Sequence, residues 1–240
     1  MGAALDAGDL DVAMLLSEAA VAGIAKGGRY RILGWYTETP LIWGIHVPAA
    51  ASQLKTVNDL RGARYAISRH GSGSHLMSFA HAKQRGWPAE ELQFVVVGDL
   101  AGAVAAFADG RAEVFFWEKF MTKPLVESGQ FKRLGEFTAP WPAFVVCVSD
   151  AALQSHSNAV EEMVREALTQ AEAVSSDPGS AARIAARYGL TAADAAAWLG
   201  TTRWAKQLGI EARALADLLA MLEEIGIVPR GCAARDFLAR

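Results

Sequence analysis

The segment Ala4-Leu5-Asp6-Ala7-Gly8-Asp9-Leu10-Asp11-Val12-Ala13-Met14 returns in altered form as Ala106-Phe107-Ala108-Asp109-Gly110-Arg111-Ala112-Glu113-Val114-Phe115-Phe116. Each copy reads as a helix end, a glycine, an acidic residue and an apolar strand. Gly8 and Gly110 suit the left-handed position that closes a helix, so each copy is an αβ joint. Any α/β protein holds several such junctions, but a matched pair points to two similar lobes with something held between them.

A chain of 240 residues can form one large α/β domain or two lobes of ordinary size. Its 52% apolar and 20% charged residues are those of a packed protein. The net charge of −3, the pI near 6.0 and the lack of any basic run exclude a general attraction to nucleic acid. No apolar run reaches the length of about 18 residues that a membrane helix needs. The opening MGAALDAGDLDVAM has neither the basic start nor the long apolar core of a signal peptide. Cys147 lies in an apolar run and Cys232 near the terminus, with no CxxC pattern. His75 and His81 fall on different helix faces and His70 in a loop, so no metal site is expected.

Extended segments read at 12–16, 30–35, 41–47, 64–68, 92–97, 113–117, 131–137 and 144–148, with helices at 17–26, 75–84, 100–108 and 120–128. Thr56-Val57-Asn58-Asp59 is a capping-box pattern. Alternation at these lengths predicts parallel sheets covered on both faces. The chain crosses between lobes at 37–50 and 138–145, giving lobe one as 1–45 with 143–240 and lobe two as 46–142. The remainder is helical. Val160, Met163, Val164, Ala167, Leu168 and Ala171 form one apolar stripe, and Leu215, Leu218, Leu219, Leu222 and Ile225 another. Asp177-Pro178 and Thr191-Ala192-Ala193-Asp194 mark helix starts between them.

This layout resembles the type 2 periplasmic solute-binding proteins, in the branch that binds nitrate, sulfonates, taurine and thiamine-pyrimidine precursors. The resemblance spans the chain and is carried by Gly8-Asp9-Leu10-Asp11-Val12-Ala13, Asp59-Leu60-Arg61-Gly62, Ala66-Ile67-Ser68-Arg69-His70-Gly71-Ser72-Gly73-Ser74-His75, Gly110-Arg111-Ala112-Glu113-Val114 and Thr201-Thr202-Arg203-Trp204. It implies a two-lobed α/β fold that closes on a small solute and an ABC-type membrane permease as partner. It also implies a monomer without cofactor, placed in the periplasm or outside the cell. Against the family pattern the front of lobe one is short by a βαβ unit of roughly 30 residues, so the resemblance implies an N-terminally truncated lobe.

Ligands of open α/β sheets bind beyond the carboxyl ends of the strands. Arg69-His70-Gly71-Ser72-Gly73-Ser74 follows one such end and feeds a helix. Arg69, the Ser72 and Ser74 hydroxyls, His70 and the Gly73 backbone suit an acceptor-rich ligand group, and equally a capped helix with a solvated arginine. Ser17-Glu18 and Glu118 follow the matched strands of the repeat. The two carboxylates suit an amine, general acid–base work or plain solvation. Trp43, Trp117 and Trp141 sit at a crossing segment, a strand end and the second crossing, where indole faces suit a flat or cationic group if they are not core. No nucleophile elbow, nucleotide-binding loop or cysteine cluster is present, so no catalytic residue is assigned. The expected function is solute binding, with a sulfonate or an aminopyrimidine-like ligand. A cytoplasmic enzyme or ligand sensor on the same fold, such as one of thiamine-pyrimidine metabolism, is the alternative.

Overall fold

The computed structural model describes residues 1–239. In chain order its elements are α1 (Gly2–Ala7), β1 (Val12–Leu16), α2 (Ser17–Ala25), β2 (Tyr30–Trp35), β3 (Ile42–Pro48), β4 (Arg64–Ile67), α3 (Gly73–Gln84), β5 (Gln93–Val96), α4 (Leu100–Ala108), β6 (Val114–Glu118), α5 (Lys123–Glu127), β7 (Phe131–Thr138), β8 (Phe144–Ser149), α6 (Asp150–Ser176), α7 (Ser180–Tyr188), α8 (Ala192–Thr201) and α9 (Ala212–Glu224). Two compact units result, unit 1 from Met1–Pro40 with Pro140–Arg240 and unit 2 from Leu41–Ala139. The division falls a few residues earlier than the expected lobe bounds at 45/46 and 142/143.

The repeated joint forms as its glycines require. Gly8 has φ 80°, and its N–H closes α1 on Ala4 and Leu5 carbonyls. Gly110 has φ 67° and donates to Phe107. Both chains then enter a strand, β1 or β6. Glu113 secures the second joint, because its Oε2 accepts from the Arg64 N–H at 3.0 Å. Asp59 likewise completes its capping box, accepting from Thr56 N–H at 2.8 Å. Asp177 caps by accepting from Gly179 N–H at 2.8 Å, so Pro178 precedes α7 rather than opening it.

Unit 1 holds a three-stranded sheet of order β1-β8-β2. The returning strand β8 is antiparallel to both neighbours, which differs from an all-parallel lobe. A central strand is buried on both faces, hence the unbroken run Val145-Val146-Cys147-Val148, all 0% exposed. Burial pushes the Cys147 thiol up to about 12, so it stays protonated. α2 packs on β1, β2 and β8 and against α9, whose stripe Leu215, Leu218, Leu219 and Leu222 is buried. Two contacts were not foreseen. Residues 237–239 run beside β2 through Ile32 N–H to Phe237 and Ala239 N–H to Ile32, both 2.8 Å. Residues 203–209 line the chain after β2, with Ala205 N–H on Tyr36 at 3.0 Å and Trp35 N–H on Gly209 at 3.0 Å. Gly34 permits this approach, since a Cβ there would lie 2.7 Å from the Gly209 nitrogen.

Unit 2 holds a five-stranded sheet of order β5-β4-β6-β3-β7. β4 pairs in parallel with β5 and β6, whereas β3 is antiparallel to β6 and β7. The sheet is therefore mixed, with helices on both sides. Tyr65, Phe116 and Phe137 share the face covered by α3. Ala66, Phe115 and Phe131 share the other, packed against Ala103, Ala106 and Phe107 of α4. No helix among the described residues is long and apolar enough to cross a membrane.

Candidate functional site

The expected site residues fall into three groups, one in unit 1 and two in unit 2. In unit 1, β1 ends at Leu16 and α2 begins at once with Ser17 and Glu18. Ser17 is fully buried, and its hydroxyl donates to the Pro142 carbonyl at 2.6 Å. That bond ties the segment 140–142 to α2. Glu18 is 1% exposed and accepts the Trp141 indole N–H at 2.9 Å on Oε2. Its Oε1 is buried without a protein partner. Burial raises the Glu18 carboxyl to about 7, against the pull of its own N–H and of Trp141. Trp141 is itself buried, with its polar edge turned to this carboxyl.

The second group is the loop after β4. Ser74 Oγ accepts from Ser68 N–H at 3.0 Å and exchanges a hydrogen bond with Ser72 Oγ at 3.1 Å, and Ser72 Oγ lies 3.4 Å from Arg69 N–H. Both hydroxyls are buried and help to hold the loop. Gly73 opens α3 and is buried. His70 is exposed, with its ring centroid 5.1 Å from that of His75 and the two rings nearly perpendicular. The Arg69 guanidinium has no hydrogen-bond or ion-pair partner among the described residues, so it is the group of this loop available to an anion.

The third group lies on neighbouring strands. Trp43 pairs with Glu118 and Gly44 with Trp117 across β3 and β6. Side chains alternate along a strand, so Trp43 and Trp117 occupy opposite faces of the sheet and cannot enclose one ring together. Trp117 stacks on Phe115 at 5.0 Å and packs, half-buried, against the core under α4. Trp43 is 4% exposed on the α3 side. Glu118 is pushed above the usual carboxylate range by burial, offset by N–H bonds from Met121 at 2.8 Å and Phe120 at 2.9 Å.

Two polar clusters had no sequence expectation. His46, buried in β3, places Nδ1 3.2 Å from the Phe115 carbonyl and Nε2 2.9 Å from Thr122 Oγ1. Arg133 Nε lies 3.4 Å from the same Nε2. A carbonyl only accepts and a guanidinium only donates, so His46 is the neutral Nδ1–H tautomer. Burial and Arg133 lower it to about 4. Gly44 is the one sequence sign, because a Cβ there would lie 2.3 Å from the His46 ring. His81 of α3 is 1% exposed among Trp87, Phe116 and Phe137, with neither nitrogen partnered. Unit 1 also carries a cavity of about 590 Å³ lined by Trp35, Glu38, Pro142, Arg203, Gln207 and Glu211. No cluster of metal-ligating side chains occurs among the described residues.

The family described as Ca3427-like PBP, for periplasmic binding protein, matches residues 43–137. No curated protein matches the chain. Among solved structures, the Candida albicans CA3427 gene product, described as exhibiting the generic periplasmic binding protein fold, matches with a TM-score of 0.87 and 24% identity over 98% of this chain and 81% of that one. The alkanesulfonate-binding protein SsuA of Xanthomonas axonopodis pv. citri, bound to MOPS, matches at 0.79 and 21% identity over 99% and 81%. The ligand-binding component of an ABC-type import system from Staphylococcus aureus, with zinc bound, matches at 0.72 and 15% identity over 98% and 80%. These likenesses establish the fold, the mixed α/β type 2 periplasmic-binding-protein architecture.

Proposed function

We propose that this chain, with its type 2 periplasmic-binding-protein fold, binds a small organic solute and delivers it to an ABC-type membrane permease from the periplasmic or extracellular side. The observation that carries the reading is a likeness covering 98–99% of the chain, both units included, to two structures described as ligand-binding proteins or components. Fold alone does not assign function, so the strand-end residues add the chemistry. Unit 1, taken by itself, offers a donor-seeking carboxyl at Glu18 beside Trp141; unit 2, taken by itself, offers an exposed cation at Arg69. The ligand is a sulfonate or an aminopyrimidine-like compound, and the protein releases it unchanged.

The test is mass spectrometry of the natively purified protein, before and after denaturation, followed by binding of the released molecule. Release of an unmodified small molecule that rebinds is the expected result. Conversion of that molecule on incubation would instead identify an enzyme and overturn the transport reading. Arg69→Ala should weaken rebinding at least tenfold while leaving the unfolding temperature within about 1 °C, since its side chain holds no internal partner. Equal affinity in the variant would remove Arg69 from the site.

A further inference from the structure

A buried carboxyl normally finds donors for both oxygens. Glu18 does not. Trp141 fixes Oε2, and the Ser17 bond to Pro142 holds the segment that carries Trp141. Oε1 is left as a buried acceptor with no donor in the protein. The elements packed on α2 carry Tyr30 and Arg31 on β2, Cys147 on β8, and Arg213, Asp217, Glu223 and Glu224 on α9, with no titratable group on β1. None of these acts on the carboxyl, whose influences are burial, its own N–H and Trp141. The site therefore holds an acceptor that no internal cation neutralises.

We propose that Glu18 sets ligand specificity, its Oε1 accepting an N–H donor from a cationic nitrogenous ligand, an amidinium or an amine, and turning away an acceptor-only anion such as a sulfonate. The proposal rests on the solute-binding reading above. An amidinium supplies both the missing donor and the missing charge, and its flat face suits the neighbouring indole. A sulfonate brings only further acceptors, so it binds only if the carboxyl first takes a proton. The two classes thus move protons in opposite directions. Because Glu18 titrates near 7, a cation that binds the ionised form releases about half a proton at pH 7. Its affinity then rises about tenfold between pH 6 and pH 8.

Titration calorimetry of the full chain with benzamidine and with ethanesulfonate, each of fixed charge from pH 6 to pH 8, tests this in buffers of low and high ionisation enthalpy. Benzamidine should bind with proton release and tighten with pH, and Glu18→Gln should abolish both effects. Trp141→Phe removes the N–H that favours the charged carboxyl, so it should move the midpoint of the pH dependence upward. Benzamidine binding without proton release, an unmoved midpoint in Trp141→Phe, or ethanesulfonate binding whose strength is the same at pH 6 and pH 8 would each overturn the role of Glu18. Failure of both probes while the purified protein retains some other solute would overturn the specificity claim and leave solute binding standing. Failure with no retained solute would overturn both.

Discussion

Replacing Glu18 by glutamine keeps the side chain's shape and an acceptor for Trp141 while removing the ionisable group. In the folded chain this carboxyl titrates at about 7, against an ordinary 4.5. Between those values the folded protein holds a proton that the unfolded chain has lost, so raising the pH favours unfolding. At about 1.4 kcal/mol per pH unit the cost reaches about 3 kcal/mol by pH 8, and it vanishes below pH 4.5. Glu18→Gln carries no such cost. The variant should be more stable than the parent by a margin that widens from pH 5 to pH 8, ending near 8 °C in the unfolding temperature by the roughly 2–4 °C per kcal/mol of a chain this size. Scanning calorimetry at pH 5, 6, 7 and 8 provides the assay, following the transition that the substitution moves, because two units need not unfold together. His46 and His81 titrate alike in both proteins and cancel in the comparison. Parallel stability profiles across this range would refute the reasoning, since they would mean that Glu18 is either solvated or paired when folded.

Two further perturbations probe unit 2. His81 is held near 4 by burial, so the unfolded chain takes up its proton first and stability falls as the pH drops from 6.5 towards 4; His81→Phe, matched to its aromatic surroundings, should lose about 2 kcal/mol less than the parent between pH 7 and pH 5 in urea unfolding. Gly102→Ala places a Cβ 1.8 Å from the Val97 carbonyl oxygen and disturbs the cap in which Asp99 accepts from Gly102 N–H at 2.9 Å. It should cost about 3 kcal/mol, and an unchanged unfolding temperature would show that the first turn of α4 shifts freely.

The parts of the fold that were legible from sequence are those set by residues a few positions apart. Gly8 and Gly110 must close helices because only glycine takes a positive φ there without strain, and Thr56 with Asp59 forms a capping box wherever the chain turns into a helix. Alternating apolar runs and capped helices likewise placed the α and β elements of both units. The candidate carboxyls came from the same local logic, as the residues that follow matched strands of the repeat.

Tertiary structure decided which of those residues are free to act. Trp117 looks as accessible as Trp43 in the sequence, but pairing of β3 with a strand about 70 residues away puts the two on opposite faces, and alternation of side chains leaves no choice once that register is set. The internal bonds of the Ser17, Ser72 and Ser74 hydroxyls also appear only once the loops fold back on them. The antiparallel course of β8, the strand-like pairing of residues 203–209 and 237–239, and the burial of Glu18 beside Trp141 likewise depend on contacts between segments far apart in the chain. Sequence determines local conformation through steric and hydrogen-bonding rules that act within a turn or two. A side chain's solvation, and hence its charge and its availability to a ligand, is set by whatever distant segment packs against it.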